Sequence, residues 1–162
     1  IPVIANGSIV SPTTAWNTFR ETNCDAFMIA RAAIGNPWIF QEIAKAWNPD
    51  GAPVAEPPAP SGRSRRDLGE IRSVLLLHLD AEKRLLTLIR EKYDLPQSAF
   101  TPEEALVATF RCHFFRYLHG LQGSGHVRRI LSAIRTEADV RSTIDQCLAS
   151  EAAFREHGPR PA

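Results

Sequence analysis

The chain begins with IPVIANGS at residues 1–8, in which the apolar run IPVIA ends at a turn, and a second apolar run, AFMIA at residues 26–30, stops at Arg31. Both are short runs of apolar residues that end at a turn or a charge, which is typical of parallel strands covered on both faces. Between them, Ser11 has the N-cap position of a helix and Pro12 its first helical position. Residues 1–48 therefore predict the order strand, helix, strand, helix, which indicates parallel α/β architecture.

The composition changes after this part of the chain. Residues 49–67 are rich in Pro, Gly, Ala, Ser and Arg, and we expect a linker or a surface loop there. Residues 68–157 then predict four helices, which we expect to form a bundle, from apolar residues at three- and four-residue steps and from a capping box at Thr101–Glu104. A glycine-rich break at residues 120–125 separates the second helix from a short third one, which Arg128 and Arg129 are predicted to open.

Composition excludes several classes of protein. The formal net charge is only +1, so the charge of the whole chain predicts no partner. Neither a membrane-spanning stretch nor a signal peptide is recognisable, and the three scattered cysteines suggest buried, reduced thiols in the cytoplasm. The spacing of His, Cys and acidic residues indicates no metal site, and nothing indicates an obligate protein partner.

Two turns that directly follow the predicted strands are candidate phosphate-binding loops. The first is Asn6-Gly7-Ser8 and the second is Ala30-Arg31. Loops at the carboxyl ends of barrel strands build the sites of (β/α)8 barrels, and phosphate needs converging N–H donors with little side-chain bulk. Arg31 adds a charge that can donate two N–H groups to phosphate. Each loop alone also fits an ordinary turn, but two loops one βα unit apart favour a phosphate site.

Three segments, residues 1–7, 25–33 and 35–40, resemble the end of the barrel in tRNA-dihydrouridine synthases, and the stretch RAAIGNPWIF at residues 31–40 carries most of that resemblance. The resemblance implies that Asn6, Gly7, Ser8, Ala30 and Arg31 hold the phosphate of FMN. Ser8 stands where the family usually has Asp, and Ala30 where it usually has Gly. Backbone N–H donation survives both departures, but if the backbone at Ala30 needs a glycine conformation, its methyl group crowds the phosphate and predicts a lower affinity for FMN than is usual in the family.

The resemblance also implies a fold and an activity. The fold is α/β plus all-α: the last two βα units of a TIM (β/α)8 barrel, at residues 1–48, followed by the four-helix bundle. The activity is that of an FMN-dependent oxidoreductase that reduces uridine in tRNA to 5,6-dihydrouridine with NADPH. A complete barrel takes ~250 residues, and the family's proton-donating cysteine matches none in this chain. We therefore assign no catalytic residue here, expect an upstream part, and expect this chain alone to be inactive.

The helical half is the predicted tRNA-binding domain. Residues 100–136 carry five arginines against two glutamates, a local basic patch of the kind that binds phosphate backbones. We assign Arg116, Arg128 and Arg129 to RNA contact, whereas Arg111 is placed to lean on the core. The aromatic and imidazole side chains in apolar stripes are predicted to be core residues: Trp38, Phe40, His78 and His113.

Two alternatives to this enzyme remain open from the sequence. The chain could be a non-catalytic RNA-binding helical module left from such an enzyme. It could also belong to another FMN-dependent barrel oxidoreductase, which would share the phosphate loops without this helical half.

Overall fold

A computed structural model describes residues 1–47, 66–94, 96, 101–121, 124–130 and 133–158. The chain divides into two compact units, Ile1–Gly62 and Arg63–Ala162. Most of the predicted linker, up to residue 65, lies outside the described residues. No helix in the described ranges is both long and apolar enough to cross a membrane.

The first unit alternates strands and helices, as the sequence predicts. Its elements are β1 (Ile4–Asn6), α1 (Pro12–Thr22), β2 (Ala26–Met28), a short 3-10 helix (Arg31–Ala33) and α2 (Ile39–Ala44). The strands β1 and β2 pair in parallel, with Ala5 opposite Phe27, which confirms the parallel arrangement. Both strands are shorter than the apolar stretches that predicted them.

The ends of α1 follow from its sequence. The Ser11 side chain accepts a hydrogen bond from the Thr14 backbone N–H at 3.2 Å, and the Thr14 hydroxyl oxygen accepts one from the Ser11 N–H at 2.9 Å. With Pro12 at the first helical position, this confirms the predicted helix start. The helix ends at Asn23, whose left-handed backbone (φ 49°) is one that Asn adopts more readily than most residues.

The two-stranded sheet is covered on one face. Ile9, Ala15, Ile39 and Ile43 form a buried cluster, and Phe27 packs against it. On the opposite face, Ile4 and Met28 keep 63% and 56% of their surface exposed. The prediction that both faces are covered is therefore wrong for the described residues, because side chains alternate across a strand and the described helices of this unit cover only one face.

Two aromatic residues at the start of α2, both predicted to be core residues, differ in burial. Trp38 is buried, as predicted, whereas Phe40 is 53% exposed, so its assignment to the core was wrong. Ile39 and Ile43 lie one turn apart on α2 and occupy the buried side. Phe40 follows Ile39 by about 100° around the helix axis and is turned away from that side.

The second unit contains α3 (Leu68–Lys92), α4 (Pro102–Leu118), α5 (Ser124–Ile130) and α6 (Glu137–His157). The helices α3, α4 and α6 pack pairwise, and α5 contacts α4 and α6. Their core is built from large side chains that are almost fully buried, among them Leu75, Phe110, Phe114 and Ile144. Asp67, Thr101 and Thr136 cap the three long helices, which confirms the capping box predicted at Thr101.

Two details of the helical unit differ from the sequence prediction. The short helix α5 begins at Ser124, inside the predicted glycine-rich break, so Arg128 and Arg129 lie towards its end rather than opening it. Gly125 is tolerated within the first turn of a helix, at a modest cost. In α3 the apolar stripe continues past its buried part: burial stops at Leu79, and Leu85 is 55% exposed.

Candidate functional site

The two predicted phosphate loops lie at the same edge of the sheet. In the parallel pairing, Asn6 is opposite Met28, so residues 7–8 and residues 30–33 both follow the carboxyl ends of neighbouring strands. This register brings the backbone of the two loops to one side of the unit, as a shared phosphate site requires.

The first loop has an unusual backbone. Gly7 has φ 122° and Ser8 has φ 54°, both in the region that L side chains rarely adopt. A Cβ added at Gly7 would meet no heavy atom within 4 Å, so the requirement for glycine there is conformational rather than spatial. Ser8, by contrast, holds this conformation with a side chain in place, at some cost in strain.

The second loop does not use the left-handed backbone of the first. Ala30 has φ −108° and ψ −94°, so its φ lies outside the positive range that favours glycine. The Ala30 carbonyl accepts a hydrogen bond from the Ala33 N–H at 3.0 Å, which closes the 3-10 turn that carries Arg31. Arg31 is exposed, as an anchor for a ligand phosphate needs to be.

In the helical unit, Arg111 has the structural position that its spacing suggested. Its guanidinium is half-buried and donates a hydrogen bond from Nη2 to the Ile134 carbonyl at 2.7 Å, tying α4 to the segment before α6. Arg135 donates to the same carbonyl at 3.1 Å. The Arg111 bond holds the segment just before α6 against α4, whereas the Arg135 bond is local to that segment.

The three arginines assigned to RNA are distributed over two helices. Arg116 is exposed in the last turn of α4, and Arg129 is exposed on α5. Arg128 lies beside Arg129 on α5, and its side chain is outside the described part of the structure. The two helices that carry these arginines, α4 and α5, contact each other.

A different surface of the same unit carries paired charges. Glu137 accepts hydrogen bonds from Lys83 at 2.7 Å and from Arg141 at 2.9 Å, and Arg141 also pairs with Asp80. The hydrogen bonds from Lys83 and Arg141 lower the pKa of the Glu137 carboxyl. These cations already have acidic partners, so they are less available to bind phosphate.

Three polar side chains that the sequence did not bring together converge between α3 and α4. His78, Glu82 and His113 are half-buried, and one ligand atom from each lies within 4.8 Å of the others. The His78 ring stacks obliquely near that of His113, with centroids 4.7 Å apart, and its Nδ1 lies 3.2 Å from the Tyr117 hydroxyl. Burial, followed by the nearness of His113, lowers the pKa of His78.

The cysteines divide into two classes. Cys24 and Cys147 are buried, as predicted, whereas Cys112 on α4 is exposed, so the prediction of three buried thiols was wrong at that position. Cys112 lies between Arg111 and His113, on the side of α4 turned away from the core residues Phe110 and Phe114. Burial raises the pKa of the Cys147 thiol to about 11.

Comparison with known protein families shows which family the chain belongs to. The family model described as "Dihydrouridine synthase (Dus)" matches residues 1–153. The chain belongs to the dihydrouridine synthase family. The match extends through β1 and β2, with their loops, and into α6, so both units of this dihydrouridine synthase chain are part of the family pattern.

Individual relatives agree with that assignment. A "Probable tRNA-dihydrouridine synthase" of Mycobacterium tuberculosis is 28% identical over 146 residues, which cover 90% of this chain and 31% of the relative. The "tRNA-dihydrouridine synthase B" of Pseudomonas aeruginosa is 37% identical over 128 residues, covering 79% of this chain and 31% of that protein. The chain therefore spans about a third of the length of these relatives.

Proposed function

We propose that this chain is the C-terminal part of an FMN-dependent tRNA-dihydrouridine synthase, which reduces uridine in tRNA to 5,6-dihydrouridine with NADPH. In this proposal the first unit is the end of a TIM barrel and supplies part of the FMN phosphate site. The second unit contacts the tRNA. FMN, when bound, supplies the hydride for the uracil ring, and the residues of this chain hold the cofactor and the substrate.

One observation carries the proposal: a single family match, over residues 1–153, covers both the pair of parallel strands and the helical unit that follows. The two loops after these strands lie at one edge of the sheet. Phosphate sites of (β/α)8 barrels commonly form where the loops after the last two strands meet. The exposed sheet face that carries Ile4 and Met28 is what the interior of such a barrel presents before other strands cover it.

Five residues are proposed to hold the FMN phosphate. Backbone N–H groups of Asn6, Gly7, Ser8 and Ala30 are suited to donate to phosphate oxygens, because small side chains let an anion approach. Arg31 adds a charge-assisted contact from its guanidinium.

The helical unit is proposed to hold tRNA away from the flavin. The uridine must leave its stack to meet the cofactor, so the rest of the tRNA has to be held by other contacts. Arg116, Arg128 and Arg129 in the α4–α5 region are the proposed phosphate contacts. Arg111 is left out because its guanidinium is committed to the Ile134 carbonyl.

The experiment that tests the cofactor site is flavin titration of the gene product that contains this sequence. Arg31→Ala removes a charge-assisted contact of about 1.5–3 kcal/mol. We therefore expect FMN to bind roughly ten- to a hundredfold more weakly. Arg20→Ala is the matched control, because Arg20 is an exposed arginine in the last turn of α1 in the same unit. Equal FMN affinity in the Arg31 variant and the control would remove Arg31 from the site.

A further inference from the structure

Two imidazoles and a carboxylate converge between α3 and α4. His78 and Glu82 lie one turn apart on α3, and His113 comes from α4; one ligand atom from each lies within 4.8 Å of the others. Two imidazole nitrogens with one carboxylate oxygen suit a divalent first-row transition metal. We propose that His78, Glu82 and His113 bind one such ion, of the Zn²⁺ class, and that the ion links α3 to α4.

The Glu82 carboxylate supplies an independent observation. Its Oε2 atom is buried and has no hydrogen-bond partner among the residues that the structure describes. A buried, charged oxygen without a partner is costly unless a proton or a cation satisfies it. A metal ion held between this oxygen and the two imidazoles would remove that cost.

The surroundings of His78 orient it for this role. Its Nδ1 lies 3.2 Å from the hydroxyl of the buried Tyr117, and in this proposal that hydrogen bond fixes the ring while Nε2 binds the ion. Ligating histidines commonly use their second nitrogen in this way, and such partners tune the affinity for the metal. Phe110 packs edge-on against the His78 ring, with centroids 5.4 Å apart, and restricts it further.

The three ligand atoms need only a small adjustment to close on an ion. Bond lengths of ~2.0–2.2 Å place neighbouring ligand atoms on a tetrahedral Zn²⁺ about 3.3 Å apart. The three atoms all lie within 4.8 Å of one another, so closing on an ion requires side-chain rotations that shorten these separations. Three protein ligands leave a fourth position for water, and the half-buried site gives an ion a way in.

The test is metal binding by the tag-free gene product that contains this sequence, after removal of bound metal with a chelator. We expect one equivalent of Co²⁺ to bind with the visible bands of a tetrahedral site, and Zn²⁺ to displace it. X-ray absorption of the Zn²⁺ form should show two imidazole ligands per ion. A wild-type chain that binds no ion, or an ion with fewer than two imidazoles, would overturn the proposal without any variant.

Variants assign the ligands. Glu82→Gln and His113→Gln should each weaken binding by about a hundredfold or more, and Tyr117→Phe by roughly ten- to a hundredfold with unchanged Co²⁺ bands. His157→Gln is the matched control, because His157 is exposed and lies 3.9 Å from Glu156, an ordinary surface His–carboxylate pair. Loss of binding in the control, or full binding in Glu82→Gln, would contradict the assignment.

The proposed link between α3 and α4 through the ion can be tested separately, by thermal unfolding. An ion that binds the folded chain stabilises it by mass action, so Zn²⁺ at about a hundred times its dissociation constant should raise the melting temperature by roughly 10 °C or more. The His113→Gln variant should lose this rise while the His157→Gln control keeps it. An equal rise in both variants would mean that the ion acts elsewhere.

Discussion

At the scale of single residues, the sequence predicted whether a side chain lies near the core better than it predicted which residues that side chain contacts. Spacing placed Arg111 near the core, and its guanidinium does reach the Ile134 carbonyl. His78 and His113 were predicted as separate core residues, because a sequence does not show which helix faces pack together. The i,i+4 spacing of His78 and Glu82 was the available signal, but the third member comes from another helix.

The exposed cysteine gives a residue-scale prediction. Cys112 should react rapidly with a thiol reagent at neutral pH, whereas Cys24 and Cys147 should react only after unfolding, because they are buried and burial raises the pKa of Cys147 to about 11. Native labelling should therefore modify one thiol of three. The measurement is mass spectrometry of the labelled chain, with Cys112→Ser as the control that removes the rapid reaction. Rapid modification of Cys147 in native protein would contradict the burial of that side chain.

At the scale of elements, helix starts were predictable where capping chemistry is local. Ser11 and Thr101 each form a capping box within four residues, and both helices begin where the sequence predicts. The start of α5 was missed because glycine was taken as a break, although Gly125 lies inside the helix. The apolar stripe of α3 correctly identified which face of the helix packs against the core. It did not show where that packing stops, since Leu85 on the same stripe is exposed.

The helix α5 carries the prediction for tRNA. Arg128→Ala combined with Arg129→Ala should weaken tRNA binding and flatten its salt dependence by up to about two units of slope, roughly one for each lost phosphate contact. FMN content and melting temperature should barely change. The measurement is a tRNA titration at several salt concentrations on the gene product that contains this sequence.

The matched control for that titration is Arg72→Ala. The Arg72 guanidinium already pairs with Asp145 at 2.7 Å on the α3–α6 surface, so its loss should leave the salt slope unchanged. Parallel slopes for wild type and the double variant would mean that Arg128 and Arg129 do not touch the RNA. The proposed RNA contact of this unit would then rest on Arg116.

At the scale of the whole chain, the order of elements was predictable and the burial of the sheet was not. Apolar runs at residues 1–5 and 26–30 correctly predicted two parallel strands, because both patterns are local. Whether each sheet face is covered depends on elements that pack from elsewhere, and the described residues cover only one. The phosphate loops themselves stay a prediction, since their chemistry needs a ligand to test it.

We predict that this chain alone does not reduce uridine in tRNA. It contributes two strands to a barrel that needs eight, and none of its cysteines is at the position expected of the proton donor. The assay combines the chain with NADPH, FMN and unmodified tRNA and measures dihydrouridine. The full-length tRNA-dihydrouridine synthase B of Pseudomonas aeruginosa serves as the positive control. Turnover above background by this chain would contradict the prediction.

The short parallel sheet has a practical consequence for anyone who produces this chain. In the described part of the structure β1 and β2 have each other as their only strand neighbour, so each keeps one open edge of unpaired N–H and C=O groups. The same unit exposes the apolar side chains of Ile4 and Met28 on one sheet face and of Val10 after β1. Open edges next to apolar surface favour self-association, so concentrated stocks should cloud unless a complementary barrel portion is supplied alongside.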